Sequence, residues 1–273
     1  MLTTILPLLA LLSGCSPDNP APASGKATEP TTTPPPGPAA PLTDAQVSKV
    51  LAPSPLGLQR EVKEAGVAGS LASLVPQMPA APPAADKDRV ALRTGVVLAY
   101  TILGGPGVHK ETFLAQLREV RAGMVALGTG AGLLQTIDNC ITQVENDTAS
   151  RGDFLQALDD VAGYAVPEEG WGPNDKTGPL LQAGAWLAGT QLVAKAVVAS
   201  GRADAADKLL RRPEVPAYFL GYLKGEGATK AEGVGASLRA TLTELDTLVR
   251  KPNLSLEDAS AVVTATDGLL TLL

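Results

Sequence analysis

From Thr43 onward this chain spaces its apolar residues by three and four positions, without a sustained every-second alternation, and that pattern confines the body to helices. A half-buried strand needs strict alternation, whereas an amphipathic helix needs apolar residues at i, i+3, i+4 and i+7. Phe113, Leu117, Val120, Met124 and Leu127 keep helical spacing, as do Val234, Leu238, Leu242, Leu245 and Val249. Proline and glycine punctuate the series. The breaks fall at Pro53 and Pro55, between Pro76 and Pro83, at Gly104 to Gly107, at Gly128, Gly130 and Gly132, and at Pro252.

Between the breaks the segments read as follows. Thr43 and Gln46 form a capping box that opens a short helix to Leu51. A second helix presents Leu58, Val62, Val67, Leu71 and Leu74. A strongly apolar helix runs from Asp86 to Leu103. Leu134, Ile137, Ile141 and Val144 line another, and Phe154, Leu158 and Val161 a further one behind a cap at Ser150. A polar loop is expected from Pro167 to Pro179, then an apolar helix from Leu180, a short helix over Ala203 to Arg211, and an aromatic segment at Tyr218, Phe219 and Tyr222. Ser255 and Asp258 cap the last helix. The expected fold is an all-α antiparallel bundle of eight to ten helices.

The core of such a bundle is constrained by what is missing. Aromatic residues make up 3% of the chain against 45% hydrophobic residues. Leu, Val and Ala must therefore fill the interior, with Ala and Gly allowing helices to approach closely. The net charge of −6 argues against a nucleic-acid partner. Leu180 to Ala199 is the nearest approach to a membrane span in the body. Gln182, Gln191 and Lys195 interrupt it, so it reads as a buried bundle helix.

Leu92 to Thr101 matches Leu181 to Thr190 at five of ten positions, and Ser150 to Gly163 echoes Ser255 to Gly268. Two readings follow: a duplication into lobes 86–164 and 178–269, or chance similarity of Ala- and Leu-rich helices. Duplication predicts that the small-residue helices at Gly95 and Gly184 pack at the centre. Glycine inside a helix costs about 1 kcal/mol relative to alanine, and close backbone approach would be the compensation.

Ahead of the body lie two segments of different composition. Residues 1–14 form a short apolar leader, of signal-peptide length and too short to span a bilayer. Residues 15–42 begin with Cys15 and continue as Pro, Ala, Thr, Ser and Gly with few charges. Such a composition cannot bury enough apolar surface to offset ordering, and it is expected to remain disordered. Its 26 residues from Ser16 to Pro41 would reach roughly 30 Å as a flexible coil and roughly 80 Å as polyproline II. Residues 43–273 are the globular part.

Leu11, Leu12, Ser13, Gly14 and Cys15 resemble the lipobox of bacterial lipoproteins. The resemblance implies cleavage before Cys15, a diacylglyceryl thioether on its sulfur and an acyl chain on its new amine. It also implies a protein of the bacterial envelope, anchored to the bilayer through Cys15 and facing the periplasm or the surface. Ser16, where an Asp tends to mark inner-membrane retention, favours the outer membrane. With Cys15 alkylated, Cys140 has no partner for a disulfide. It falls on the apolar face of its helix, where a thiol acts as a small hydrophobe.

Candidate chemistry in the body is sparse. His109 is the single histidine and lies at a helix start; a metal site or general base needs convergent partners that no second His or free Cys supplies. Gly128 to Gly132 looks superficially like a phosphate loop, but it follows a helix and lacks the Lys-Ser/Thr of a P-loop. Lys195 can lay its stem along an apolar helix with its ammonium in water. The loop from Pro167 to Pro179 is the most suggestive stretch: it holds Glu168, Glu169, Trp171 and Asp175. Loops carry function and Trp is enriched at binding hot spots. The alternative is a plain helix connection with Trp171 folded onto the core. No cofactor is expected. The leading expectation is a non-enzymatic binding or scaffold module for another envelope component. A carrier of an apolar small molecule within the bundle and a carboxylate-based hydrolase are the alternatives.

Overall fold

Ten α-helices and three short 3₁₀ turns, with no strand, make up the residues described by the computed structural model, namely 52–67, 71–78, 86–164, 177–224 and 233–273. All of them belong to one unit, 42–273. The fold is all-α. The helix expected over Thr43 to Leu51 lies outside the described residues.

Helix α1 spans Pro55–Glu64. Ser54 caps it, its Oγ accepting from the Gly57 N–H at 3.1 Å, and Pro55 takes the first position, where no N–H is required. Gly66, with φ of +67°, turns the chain out of the helix. Leu71–Leu74 is consequently a separate 3₁₀ turn and not the end of one long helix. The backbone N–H of Leu56 donates to Asp159 Oδ1 at 3.0 Å, a cap delivered from 103 positions along the chain. Burial pushes the Asp159 carboxyl above its ordinary range, and the bonds from Leu56 and Ser54 oppose that rise.

Helix α2 spans Lys87–Gly104 and is buried at every position from Ala91 to Gly104. Asp86 caps it by accepting from Arg89 N–H at 2.9 Å. Helix α3 spans Lys110–Leu127 and buries the expected stripe Phe113, Leu117, Val120, Met124 and Leu127. Gly128 closes it in the left-handed conformation. Helix α4 (Ala131–Glu145) buries Ile137, Cys140 and Val144, with Leu134 and Ile141 at its margin. The Ser150–Asp153 capping box precedes α5 (Leu155–Tyr164).

Helix α6 spans Thr177–Ser200. It begins three residues ahead of the expected start at Leu180, because Pro179 falls in the first turn and interrupts no helical hydrogen bond there. Helices α7 (Ala203–Leu210), α8 (Glu214–Lys224), α9 (Val234–Val249) and α10 (Leu256–Leu270) complete the body. The Ser255–Asp258 capping box starts α10. Lys251 and the two Ser255 bonds hold the Asp258 carboxyl down at about 2.

The centre is the α2–α6 pair. A Cβ built on Gly95 would lie 1.9 Å from the Leu181 carbonyl oxygen, and one on Gly184 would lie 2.1 Å from that of Leu92. The two helices therefore touch through their backbones, each at a glycine, and each glycine faces the carbonyl three residues before the other. Further along, Tyr100 meets Gln191, and Leu103 lies against Gly189. The contacts advance together along both chains, so α2 and α6 run parallel. The residues matched in sequence, Leu92 with Leu181 and Gly95 with Gly184, are the ones that exchange contacts. Close approach of this kind replaces the side-chain layer with backbone dispersion and Cα–H···O contacts.

Chain neighbours pack antiparallel around this pair. Helix α3 folds back on α2 with Gly123 over Thr94, and Thr241 of α9 donates to the Ala265 carbonyl of α10 at 3.4 Å. The chief outer partner of α2 is α3, whereas that of α6 is α10. Leu58 of α1 drops onto α6 at Gly189, where an added Cβ would lie 2.4 Å from its Cδ1.

Candidate functional site

Four polar side chains, Tyr100, Gln191, Lys195 and Asp267, form one connected cluster across three helices of this apolar centre. Gln191 and Lys195 are one turn apart on α6 and share a face. Tyr100 of α2 donates its hydroxyl to Gln191 Oε1 at 2.9 Å. Gln191 Nε2 donates to Asp267 Oδ1 of α10, and Lys195 Nζ lies 3.6 Å from the same oxygen. Tyr100 is 0% exposed and Gln191 1%, while Asp267 lies at the surface. The cluster runs from the interior to water.

Its chemistry follows from burial. Desolvation, reinforced by the Asp267 charge, pushes the Tyr100 hydroxyl far above its ordinary range. The hydroxyl remains a proton donor and its phenolate is not accessible near neutral pH. The Lys195 ammonium pairs with Asp267 at the edge of the apolar surface, its side chain mostly covered.

A second polar group ties α2 to α3 and to the end of the described chain. Arg93, 5% exposed, donates from Nε to Glu119 Oε1 at 2.6 Å and from Nη1 to the Leu273 carbonyl at 2.8 Å. A buried guanidinium is tolerated when its donors find acceptors of this kind. Arg93, Asp159 and Gln191 were not singled out as candidates by the sequence. The available signal was a lone polar residue inside an apolar helix, and only Gln191 carried even that reading, as an interruption.

The sequence candidates are placed as follows. Cys15 and the loop residues Glu168, Glu169, Trp171 and Asp175 lie outside the described residues. His109 is exposed at the N-cap of α3 and makes no side-chain capping bond. Gly128 and Gly130 are the C-cap of α3 and the N-cap of α4, so Gly128 to Gly132 is a joint between two helices. Among the described residues no group of three or more His, Cys, Asp or Glu is placed to hold a metal ion, and no helix is long and apolar enough to cross a membrane.

Cys140 is 2% exposed and free, inside the core of α4. Burial raises its thiol to about 11. In a Cys15→Ser background, where Cys140 is the remaining thiol, alkylation in native buffer is expected to run more than about a hundredfold slower than in denaturant, because reaction must wait for local opening. Labelling at the same rate in both conditions would contradict the core placement.

Comparison of the chain with protein-family models, with curated proteins and with solved structures finds no match.

Proposed function

We propose that the chain is a lipid-anchored lipoprotein of the bacterial envelope whose helical body serves as a non-enzymatic binding or scaffold module. The carrying observation is the Leu11–Cys15 lipobox ahead of a 26-residue spacer poor in charge and large apolar residues. One chain of myristoyl length holds a protein only marginally, and two or more signals hold it stably. A Cys15 modified with three acyl chains moors the protein, and the spacer sets the body off the headgroups. Ser16 favours the outer membrane.

The body's packing supports a rigid module over a carrier. A ligand between the central helices would have to part α2 from α6 where Gly95 and Gly184 bring their backbones together. Asp159, whose carboxyl burial raises, is already engaged as a cap of α1, its Oδ1 accepting from the Leu56 N–H. The loop with Glu168, Glu169, Trp171 and Asp175 is the proposed partner contact. A tryptophan anchor at a hot spot contributes about 2 kcal/mol or more to binding. Pull-down from detergent-solubilised envelopes with the full lipidated chain is therefore expected to recover a partner protein that Trp171→Ala recovers at least tenfold less well. Recovery of the same proteins at the same yield would remove the loop from the proposal.

A further inference from the structure

We infer that Tyr100, Gln191 and Asp267 form a lock that, together with the Gly95–Gly184 contact, fixes the rotation of α6 and ties α10 to the central pair. From Thr177 to Val197, helix α6 is buried at every position except Gln182 and Lys195. Such a helix has no apolar face to distinguish one rotation from another: turning it exchanges one apolar surface for the next. Away from the Gly184 contact, where a Cβ under the Leu92 carbonyl would clash, packing penalises a change of setting gradually, and α6 is rich in small residues that forgive it. A buried amide behaves differently, because its hydrogen bonds are either made or lost.

Gln191 is held at both ends. Its Oε1 accepts from the Tyr100 hydroxyl on α2, and its Nε2 donates to Asp267 on α10. One residue of rotation swings the amide by about 100° and strands a buried hydroxyl and a buried amide together. The Gly95 and Gly184 contacts fix where α2 and α6 cross. They do not involve α10, which packs along α6 and joins the polar cluster through Asp267 near its C-terminal end. The ion pair of Asp267 with Lys195, one turn from Gln191, keeps the carboxylate turned toward α6. The lock thus joins three helices that are distant in sequence.

The test is a double-mutant cycle of Tyr100→Phe and Gln191→Leu in the full chain, read by thermal melting and by the indole ¹H–¹⁵N resonance of Trp186. Trp186 lies on α6, 4% exposed, with its ring 5.9 Å from that of Phe219, so its resonance reports the setting of the helix; Trp171→Phe assigns it. Each single variant strands a buried partner and is expected to lower the melting midpoint by roughly 4–8 °C. The double variant, with both polar groups removed, is expected to regain at least half of the summed loss. It is also expected to show more than one Trp186 resonance where the parent shows one. Midpoint losses that add in the double variant, or a double variant with one sharp Trp186 resonance at the parent position, would overturn the inference. Should Gln191→Leu fail to fold, Gln191→Met, closer in length, takes its place in the cycle.

Discussion

Gly95→Ala is expected to cost the helical body about 2–4 kcal/mol, although the same substitution at Gly221 or Gly268 is expected to stabilise it by up to about 1 kcal/mol. The chemistry of the change is identical at the three sites. Alanine is the better helix former everywhere, since it restricts the unfolded chain. What differs is the space. Nothing lies within 4 Å of a Cβ at Gly221 or Gly268, on the exposed sides of α8 and α10. At Gly95 the new carbon would meet the Leu181 carbonyl at 1.9 Å, and a backbone oxygen cannot swing aside as a side chain can. The helices must separate, and every contact along the α2–α6 seam loosens with them. Gly184→Ala is expected to cost a similar amount. The double variant should cost less than the sum, because helices already parted by one methyl admit the second. Urea unfolding of the five variants beside the parent checks the sign at each site. Equal effects at Gly95 and Gly268 would contradict the backbone contact.

Cys15→Ser is expected to abolish acylation and processing together. Labelled palmitate incorporated by the parent should fall to background, and the variant should retain the mass of residues 1–14. The size of the effect comes from chain length: each buried methylene contributes about 0.8 kcal/mol, so losing two or three acyl chains changes membrane partitioning by many orders of magnitude. Undiminished palmitate labelling of the variant would place the lipid elsewhere. The helical body should melt as the parent does, since Cys15 lies outside the unit that carries the core.

The helices that present one apolar face were legible in the sequence, and those that present none were only half so. The stripes at Phe113 to Leu127 and Val234 to Val249 are buried residue by residue, because amphipathic spacing encodes which side faces inward. Helix α6 was legible as buried, and the matched Gly95 and Gly184 pointed to α2 as its partner, yet its lack of a face hid its direction. The parallel course of α2 and α6 rests on backbone contacts between residues some ninety positions apart, which local spacing cannot report. The glycines at 95 and 184 were the usable trace, since a costly residue in a helix interior calls for a close approach. Asp159 as the cap of α1 left no trace, because its partner is a backbone N–H distant in sequence. Gly66 was legible as a breaker in principle, but the apolar spacing from Leu58 to Leu74 continues across it and conceals the stop. Gln191 read as a blemish in an apolar run, and its two bonds depend on helices that the sequence places far apart.

The proposal that a rigid helical body is moored by lipid through a spacer is tested most directly by the intact mass of the amino-terminal fragment from the mature protein. The account predicts a fragment that begins at Cys15 and carries both a diacylglyceryl group on sulfur and an acyl group on the amine. A fragment that begins at any other residue, or one that begins at Cys15 with no added acyl mass, would contradict it.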